Sequence, residues 1–176
     1  MNIIPEIANR FSPTTFTKQA LSEEQMHTLF VAAGRAASAF NEQPWRFVYA
    51  LKEDNDAFNN ILDCLVEGNQ EWAKNAAALV ITVSKKNFTK NEKTNAHNRH
   101  DLGLAVGNLS AQATAMGLHL HQMGGFSAEK AINNLNIPEG FEPVTAIAIG
   151  YYDGEFIEKP RKAVEEIAFK NGWNTK

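Results

Sequence analysis

The run Ala78-Leu79-Val80-Ile81-Thr82-Val83 constrains this chain most. It is a continuous apolar stretch with no polar face to offer water. Such a strand has to be covered on both faces. The chain must therefore supply helices for two layers as well as partners for the sheet.

Helices are the clearest elements. Ser22 and Gln25 form a capping box, and Met26, Leu29, Phe30, Ala33 and Ala37 follow at helical spacing. A second helix is expected from Asp54, carrying Phe58, Ile61, Leu62 and Leu65 and ending at Gly68. The longest is expected from Asn95 to Met116, stopped by Gly117. A short one, capped by Ser127, carries Ile132 and Leu135 and ends before Pro138. Further strands are expected at Trp45–Leu51, Leu118–His121 and Val144–Tyr151. Strands and helices are interspersed without regular alternation. That pattern predicts an α+β fold, with a mixed, mainly antiparallel sheet and helices packed around it.

The long helix carries two stripes. Leu102, Val106, Leu109, Ala113 and Met116 form the apolar one. Beside it, Gly103, Gly107 and Ala111 recur every four residues. Small side chains let another backbone approach closely. Two readings stay open: tight packing within one chain, or packing of the helix against a second copy.

Length and charge narrow the function classes. At 176 residues one domain, spanning 1–176, is expected. The 17 Lys and Arg against 20 Asp and Glu argue against a general nucleic-acid coat. A single local phosphate site is still compatible with that balance. The lone Cys64 allows no internal disulfide and fits a reducing compartment. In the apolar frame of the second helix it reads as a core residue. No basic segment followed by an apolar one opens the chain. No stretch reaches the roughly 20 apolar residues of a membrane span. A cytoplasmic protein with no membrane or nucleic-acid partner is expected. The lysine-bearing stretch Ser84–Asn98 starts as an exposed connection between two halves of the domain.

Several common chemistries leave no trace. The sequence has no G-x-G-x-x-G after a strand, no P-loop, no G-x-S-x-G elbow and no C-x-x-C. His97 with His100, and His119 with His121, are spaced to share a face and give a zinc alternative. The expectation is no metal site.

The densest polar segment is the loop Ala36–Phe47. It offers Ser38, Asn41 and Gln43, then Pro44, and then enters a strand. Amide side chains both donate and accept. Several in one loop suit the edge of a flat, multiply hydrogen-bonding ligand.

This segment, Arg35-Ala36-Ala37-Ser38-Ala39-Phe40-Asn41-Glu42-Gln43-Pro44-Trp45-Arg46-Phe47, resembles the A-P-S-x-x-N-x-Q-P-W-x-F motif of the nitroreductase family of FMN-dependent oxidoreductases. Weaker similarities follow in order from about residue 10 to residue 170. Arg10-Phe11-Ser12-Pro13-Thr14-Thr15-Phe16 resembles the family's Arg-x-Ser segment. His100-Asp101-Leu102-Gly103 and Ala115-Met116-Gly117-Leu118 resemble its central helix. Gln122-Met123-Gly124-Gly125-Phe126 resembles its flavin-facing turn, and Lys159-Pro160-Arg161 its C-terminal basic segment.

The resemblance implies FMN as cofactor and NADH or NADPH as reductant. It implies hydride transfer through flavin N5 to a small acceptor (a nitroaromatic, a quinone or an enone-like compound) in a ping-pong cycle. The implied cofactor-binding set is Arg10, Phe11, Ser12, Thr14, Ala37, Ser38, Asn41, Gln43, Asn69, Gln122, Met123, Gly124, Gly125, Lys159 and Arg161. Arg10, Ser12, Lys159 and Arg161 would meet the phosphate, which suits cations and hydroxyls. Ser38, Asn41, Gln43 and Asn69 would meet the pyrimidine edge. Gly124 and Gly125 would let the backbone approach the ring. No side chain is implied as a catalytic acid or base, because the cofactor carries the chemistry. The family also implies a homodimer with the long helix at its interface and two shared flavin sites.

Three positions depart from the pattern. Thr14 stands where a second basic residue is common, Ala37 replaces a proline, and Trp72 stands where some members have lysine. These departures motivate an alternative: a flavin-binding or sensory protein of the same fold with little turnover.

Overall fold

The computed structural model describes residues 3–173. The expected domain bounds, 1–176, include five terminal residues outside that range. The elements in chain order are α1 (Pro5–Ala8), α2 (Glu23–Ala33), β1 (Trp45–Leu51), α3 (Asn55–Leu62), α4 (Glu67–Ala73), β2 (Ala78–Lys85), α5 (Asn98–Ala115), β3 (His119–Met123), α6 (Ala128–Asn134) and β4 (Phe141–Gly150). Short 3₁₀ turns lie at Ala39–Asn41 and Val164–Glu166.

The sheet has the order β1-β2-β4-β3, and every pairing is antiparallel. β2 is interior, and Ala78 to Ser84 are all buried along it. Its alternate side chains feed two cores. Ala78 and Val80 join Met26, Leu29, Leu102, Val106 and Leu109, from α2 and α5. Leu79, Ile81 and Val83 join Phe58, Ile61, Met123 and Ala131, on the α3 and α6 side. This is the two-sided cover that the apolar run demands. Each fully buried large side chain contributes about 1.5–3 kcal/mol. The one hydroxyl that β2 buries in its apolar run, Thr82, meets Thr145 of β4 at 2.8 Å.

Several elements differ from expectation. Helix α1 is additional, α5 starts at Asn98, β3 runs on to Met123 and β4 starts at Phe141. Helices α2, α3 and α6 differ as well. The α2 box forms in full: Ser22 Oγ accepts the Gln25 N–H, and Gln25 Oε1 accepts the Ser22 N–H. Yet α2 stops at Ala33, capped by Gly34, and Ala37 lies in the loop beyond. The helix expected from Asp54 to Gly68 is two helices. Between them Leu65 bridges Phe126, and the Val66 N–H bonds the Gly125 carbonyl at 3.1 Å. Contact with the turn after β3 outweighs helical continuity there. In α6, Ala131 is buried while Ile132 is 40% exposed.

The stretch after Lys85 is more than a connection. Asn87 bridges Thr94, the Phe88 N–H bonds the Lys93 carbonyl, and the segment folds back as a small loop. On α5, Leu102, Val106, Leu109 and Ala113 are buried as expected. A Cβ built at Gly103 or Gly107 would meet nothing within 4 Å. The two glycines of the stripe thus face open space, whereas Ala111 is half-buried and lines a recess with Ile4, Thr28 and Val31.

Candidate functional site

The expected site residues fall into three clusters. The first gathers the chain ends. Arg10, Phe11, Ser12, Lys159 and Arg161 line one pocket of about 290 Å³, together with Ile3, Ile7 and Phe156. Arg10 Nη1 donates to Ser12 Oγ at 3.2 Å. Phe11 is nearly buried beneath the pocket. It packs edge-on to Tyr152 and Phe156 and tilts on His119 at 4.6 Å. Through these rings, the segment after β4 is folded back onto the start of the chain. Thr14 is exposed and does not line the pocket.

The second cluster is the loop from Ala37 to Gln43. Phe40, Asn41 and Gln43 all take positive φ, at 52°, 56° and 50°. Non-glycine residues there cost about 1–3 kcal/mol each and persist only when their surroundings hold them. Three devices hold them here. Ser38 Oγ accepts the Gln43 N–H at 3.0 Å. Asp101 Oδ2, from the first turn of α5, accepts the Ala39 N–H at 2.9 Å. The Glu42 carboxylate accepts both the N–H and the hydroxyl of Thr89 and pairs with Lys85 at 3.5 Å. The Thr89 hydroxyl is the main cause that holds the Glu42 carboxyl below its usual range. Asn41 and Gln43 are thus exposed but aimed, with Gln43 Nε2 donating to Asn41 Oδ1 at 3.3 Å. Ala37, Ser38 and Ala39 line a recess of about 310 Å³ with His97, His100, Asp101 and Leu104.

The third cluster is the turn after β3. Asn69 Nδ2 donates to the Gly125 carbonyl at 2.9 Å. A Cβ at Gly125 would lie 2.7 Å from that same nitrogen, so a side chain there would displace the Asn69 amide from its bond. A Cβ at Gly124 would meet nothing, and the backbone there is bare. Gln122 is exposed at the sheet edge and Met123 is buried in the core. Met123 supports the turn from beneath. Trp72 lies against His121 at 4.7 Å and Phe16 at 6.4 Å.

The first and third clusters adjoin through β3, where Phe11 packs on His119, the Pro13 carbonyl lies 2.9 Å from His121 Nδ1, and Trp72 packs on His121. Among the described residues, no group of three or more metal-ligating side chains converges. His97 and His100 sit by the Ala37–Gln43 loop, whereas His119 and His121 pack on aromatic rings across the sheet. The four-histidine alternative is thereby removed.

Sequence reasoning missed the supports. Asp101 and Thr89 hold the loop from outside its motif, Thr89 by way of Glu42, a variable position within it. The one local signal is an acidic residue in a helix's first turn, and that signal does not say what the carboxylate will hold. No described helix is long and apolar enough to cross a membrane.

A four-stranded antiparallel sheet, a pocket lined by three cations at the chain ends and a bare glycine turn make this a small α+β ligand-binding fold. The sequence profile of the Nitroreductase family matches residues 7–151, and the chain belongs to that family. It is similar to a solved oxidoreductase containing FMN, at 33% identity and a TM-score of 0.93, over 100% of this chain and 95% of that one. A Ralstonia nicotianae protein with the provisional name NADH dehydrogenase/NAD(P)H nitroreductase is 28% identical over 167 residues, covering 83% of this chain and 84% of its own. A nitroreductase family protein from Streptococcus pneumoniae shares the fold, with a TM-score of 0.81 at 21% identity, over 94% of this chain and 98% of that one.

Proposed function

We propose that this chain is an FMN-dependent oxidoreductase working as a homodimer, each copy a single domain. NADH or NADPH is the reductant and a small organic molecule the acceptor. One observation carries the reading. The pocket at the chain ends brings Arg10, Ser12, Lys159 and Arg161 together, although about 150 residues separate its two walls.

The residues present fit the cofactor. Three cations and a hydroxyl suit a phosphate dianion. The bare backbone at Gly124 leaves room for a flat ring face. The strained Ser38–Gln43 loop presents amide groups outward, as a pyrimidine edge requires. FMN supplies the redox chemistry when bound, taking electrons from the nicotinamide and passing them to a nitroaromatic, quinone or enone-like acceptor in alternating half-reactions.

The chain's own residues bind, orient and hold. Arg10 and Ser12 fix one side of the phosphate, and Lys159 and Arg161 the other. Asn69 locks the Gly125 carbonyl, which fixes the turn. Ser38, Asn41 and Gln43 bond the ring edge, and the outward glycines of α5, Gly103 and Gly107, let a second copy bring its loop to the site. Phe11 supports the phosphate pocket from below.

Purified protein should show flavin absorption bands and oxidise NADH or NADPH with menadione or a nitroaromatic. A colourless protein after reconstitution with FMN rejects the reading. Exposed Thr14 and the aromatic packing of Trp72 leave two common cations unsupplied, and this favours a second reading. In that reading the protein holds flavin with little turnover; bound FMN without acceptor reduction would select it.

A further inference from the structure

A larger pocket, of about 490 Å³, shares no lining residue with the pocket at the chain ends or the recess beside Ala37. None of the fifteen expected cofactor residues lines it. Its volume is in the range of small-ligand sites. Its rim carries Lys18, from the segment before α2, Lys52, just after β1, and Lys74, just after α4. The lining holds one carboxylate, Glu53. None of the three lysines takes part in an ion pair among the described residues.

These lysines do not form a basic run in the sequence. The fold collects them from three segments, in a chain whose formal net charge is −3. Three like charges at one cavity repel one another unless an anion joins them. The rest of the lining mixes polar Thr17, Gln19 and Asn75 with small and aromatic residues. Ala20, Ala76 and Ala77 leave space, and Phe16 provides a wall. That wall is fixed: a Cβ at Gly150 would come within 2.8 Å of the Phe16 ring, and Trp72 packs on Phe16 too. Lys52 rests with its Nζ 4.3 Å from the centre of the Phe58 ring, which lies outside the lining; the flexible Lys52 side chain would swing to reach an anion.

Cations beside a fixed aromatic wall match a ligand that joins a phosphate to a flat base. We propose that this pocket binds a nucleotide phosphate, with Lys18, Lys52 and Lys74 on the phosphate and Phe16 beside the base. Two sources share that chemistry. One is the phosphate-bearing half of the nicotinamide reductant, an assignment that rests on the function proposed above. Lys74 caps the helix that carries Asn69, about 7.5 Å further along its axis. The other source is a free nucleotide acting apart from turnover.

The test is calorimetric titration of the flavin-loaded protein with adenosine 2′,5′-diphosphate, beside plain adenosine. The expected result is saturable binding of the diphosphate that weakens with salt, and about tenfold weaker binding of adenosine. A triple variant, Lys18→Gln with Lys52→Gln and Lys74→Gln, should lose about tenfold in affinity with its flavin spectrum unchanged. All three side chains are on exposed residues, so folding should survive. No saturation at millimolar diphosphate, or equal binding by the variant, overturns the proposal. Steady-state kinetics then separate the sources. A raised KM for NADPH with KM for NADH unchanged assigns the pocket to the reductant. Lost diphosphate binding with both KM values unchanged assigns it to a free nucleotide. If the protein holds no flavin but still binds the diphosphate, the functional reading fails and the pocket proposal stands.

Discussion

The carboxylate of Asp101, almost wholly buried, accepts the backbone N–H of Ala39 at 2.9 Å. One helix turn thereby anchors a loop in which three non-glycine residues stand at positive φ. A hydrogen bond to a charged acceptor contributes about 1.5–3 kcal/mol. Asp101→Ala should lower the melting temperature by about 5 °C. It should also weaken FMN binding by about tenfold, since the loop is no longer held. Thermal melts and flavin titration check both effects, and an unchanged flavin affinity would show that the loop needs no anchor.

A side chain at the second glycine of the turn after β3 would collide with Asn69 and Val66. Gly125→Ala would drive a methyl into Asn69 Nδ2 at 2.7 Å and Val66 Cγ2 at 3.0 Å. The Asn69 bond to the Gly125 carbonyl should break and the turn should shift. Gly124→Ala meets open space within the chain and should leave stability unchanged. Both variants should lose flavin absorbance, Gly125→Ala by disorder of the turn and Gly124→Ala by a methyl on the ring face.

At the chain ends, Lys159 and Arg161 are exposed and do not support the core. Replacing either with glutamine should leave the melting temperature within about 1 °C, as for other surface changes. FMN affinity should fall by about tenfold for each, from one lost charge-assisted bond. Fluorescence titration with FMN and with riboflavin isolates the phosphate, because riboflavin binding should not respond.

His119 gives a pH dependence with a definite sign. Its Nδ1 is buried without a hydrogen-bond partner, and burial holds its pKa below 6.5. Between that lowered value and 6.5, the unfolded chain binds a proton that the folded chain refuses. The stability contributed by neutral His119 is thus complete above about pH 6.5. It is lost progressively as pH falls through 6.5 toward the folded value. Melting temperatures between pH 7 and pH 5 should drop less for His119→Phe than for the parent chain. Phe11 and Tyr152, which pack on this ring, should loosen first on acidification.

Much of the scaffold was legible because it is periodic. The apolar run predicted the interior strand, and the Ser22–Gln25 box placed the start of α2. The break between α3 and α4 was not legible, because its cause is a turn sixty residues away that pairs with Leu65 and Val66. In the candidate site, the family-like motif identified the loop but not its strain. Nothing about Phe40 or Gln43 as residue types announces positive φ, which arises from bonds to Ser38, Asp101 and Thr89. Likewise, Lys18, Lys52 and Lys74 are unremarkable surface residues until the sheet brings them to one rim.

The phosphate pocket has one wall at Arg10 and the other at Lys159 and Arg161. During synthesis the whole sheet, which ends at Gly150, can be complete before the second wall exists. On the proposed function, the phosphate site is completed only after the sheet. In that reading, a nascent or clipped chain that lacks this segment would keep its core and lose its hold on the cofactor phosphate. Flavin content in a preparation would then count finished molecules rather than merely folded ones.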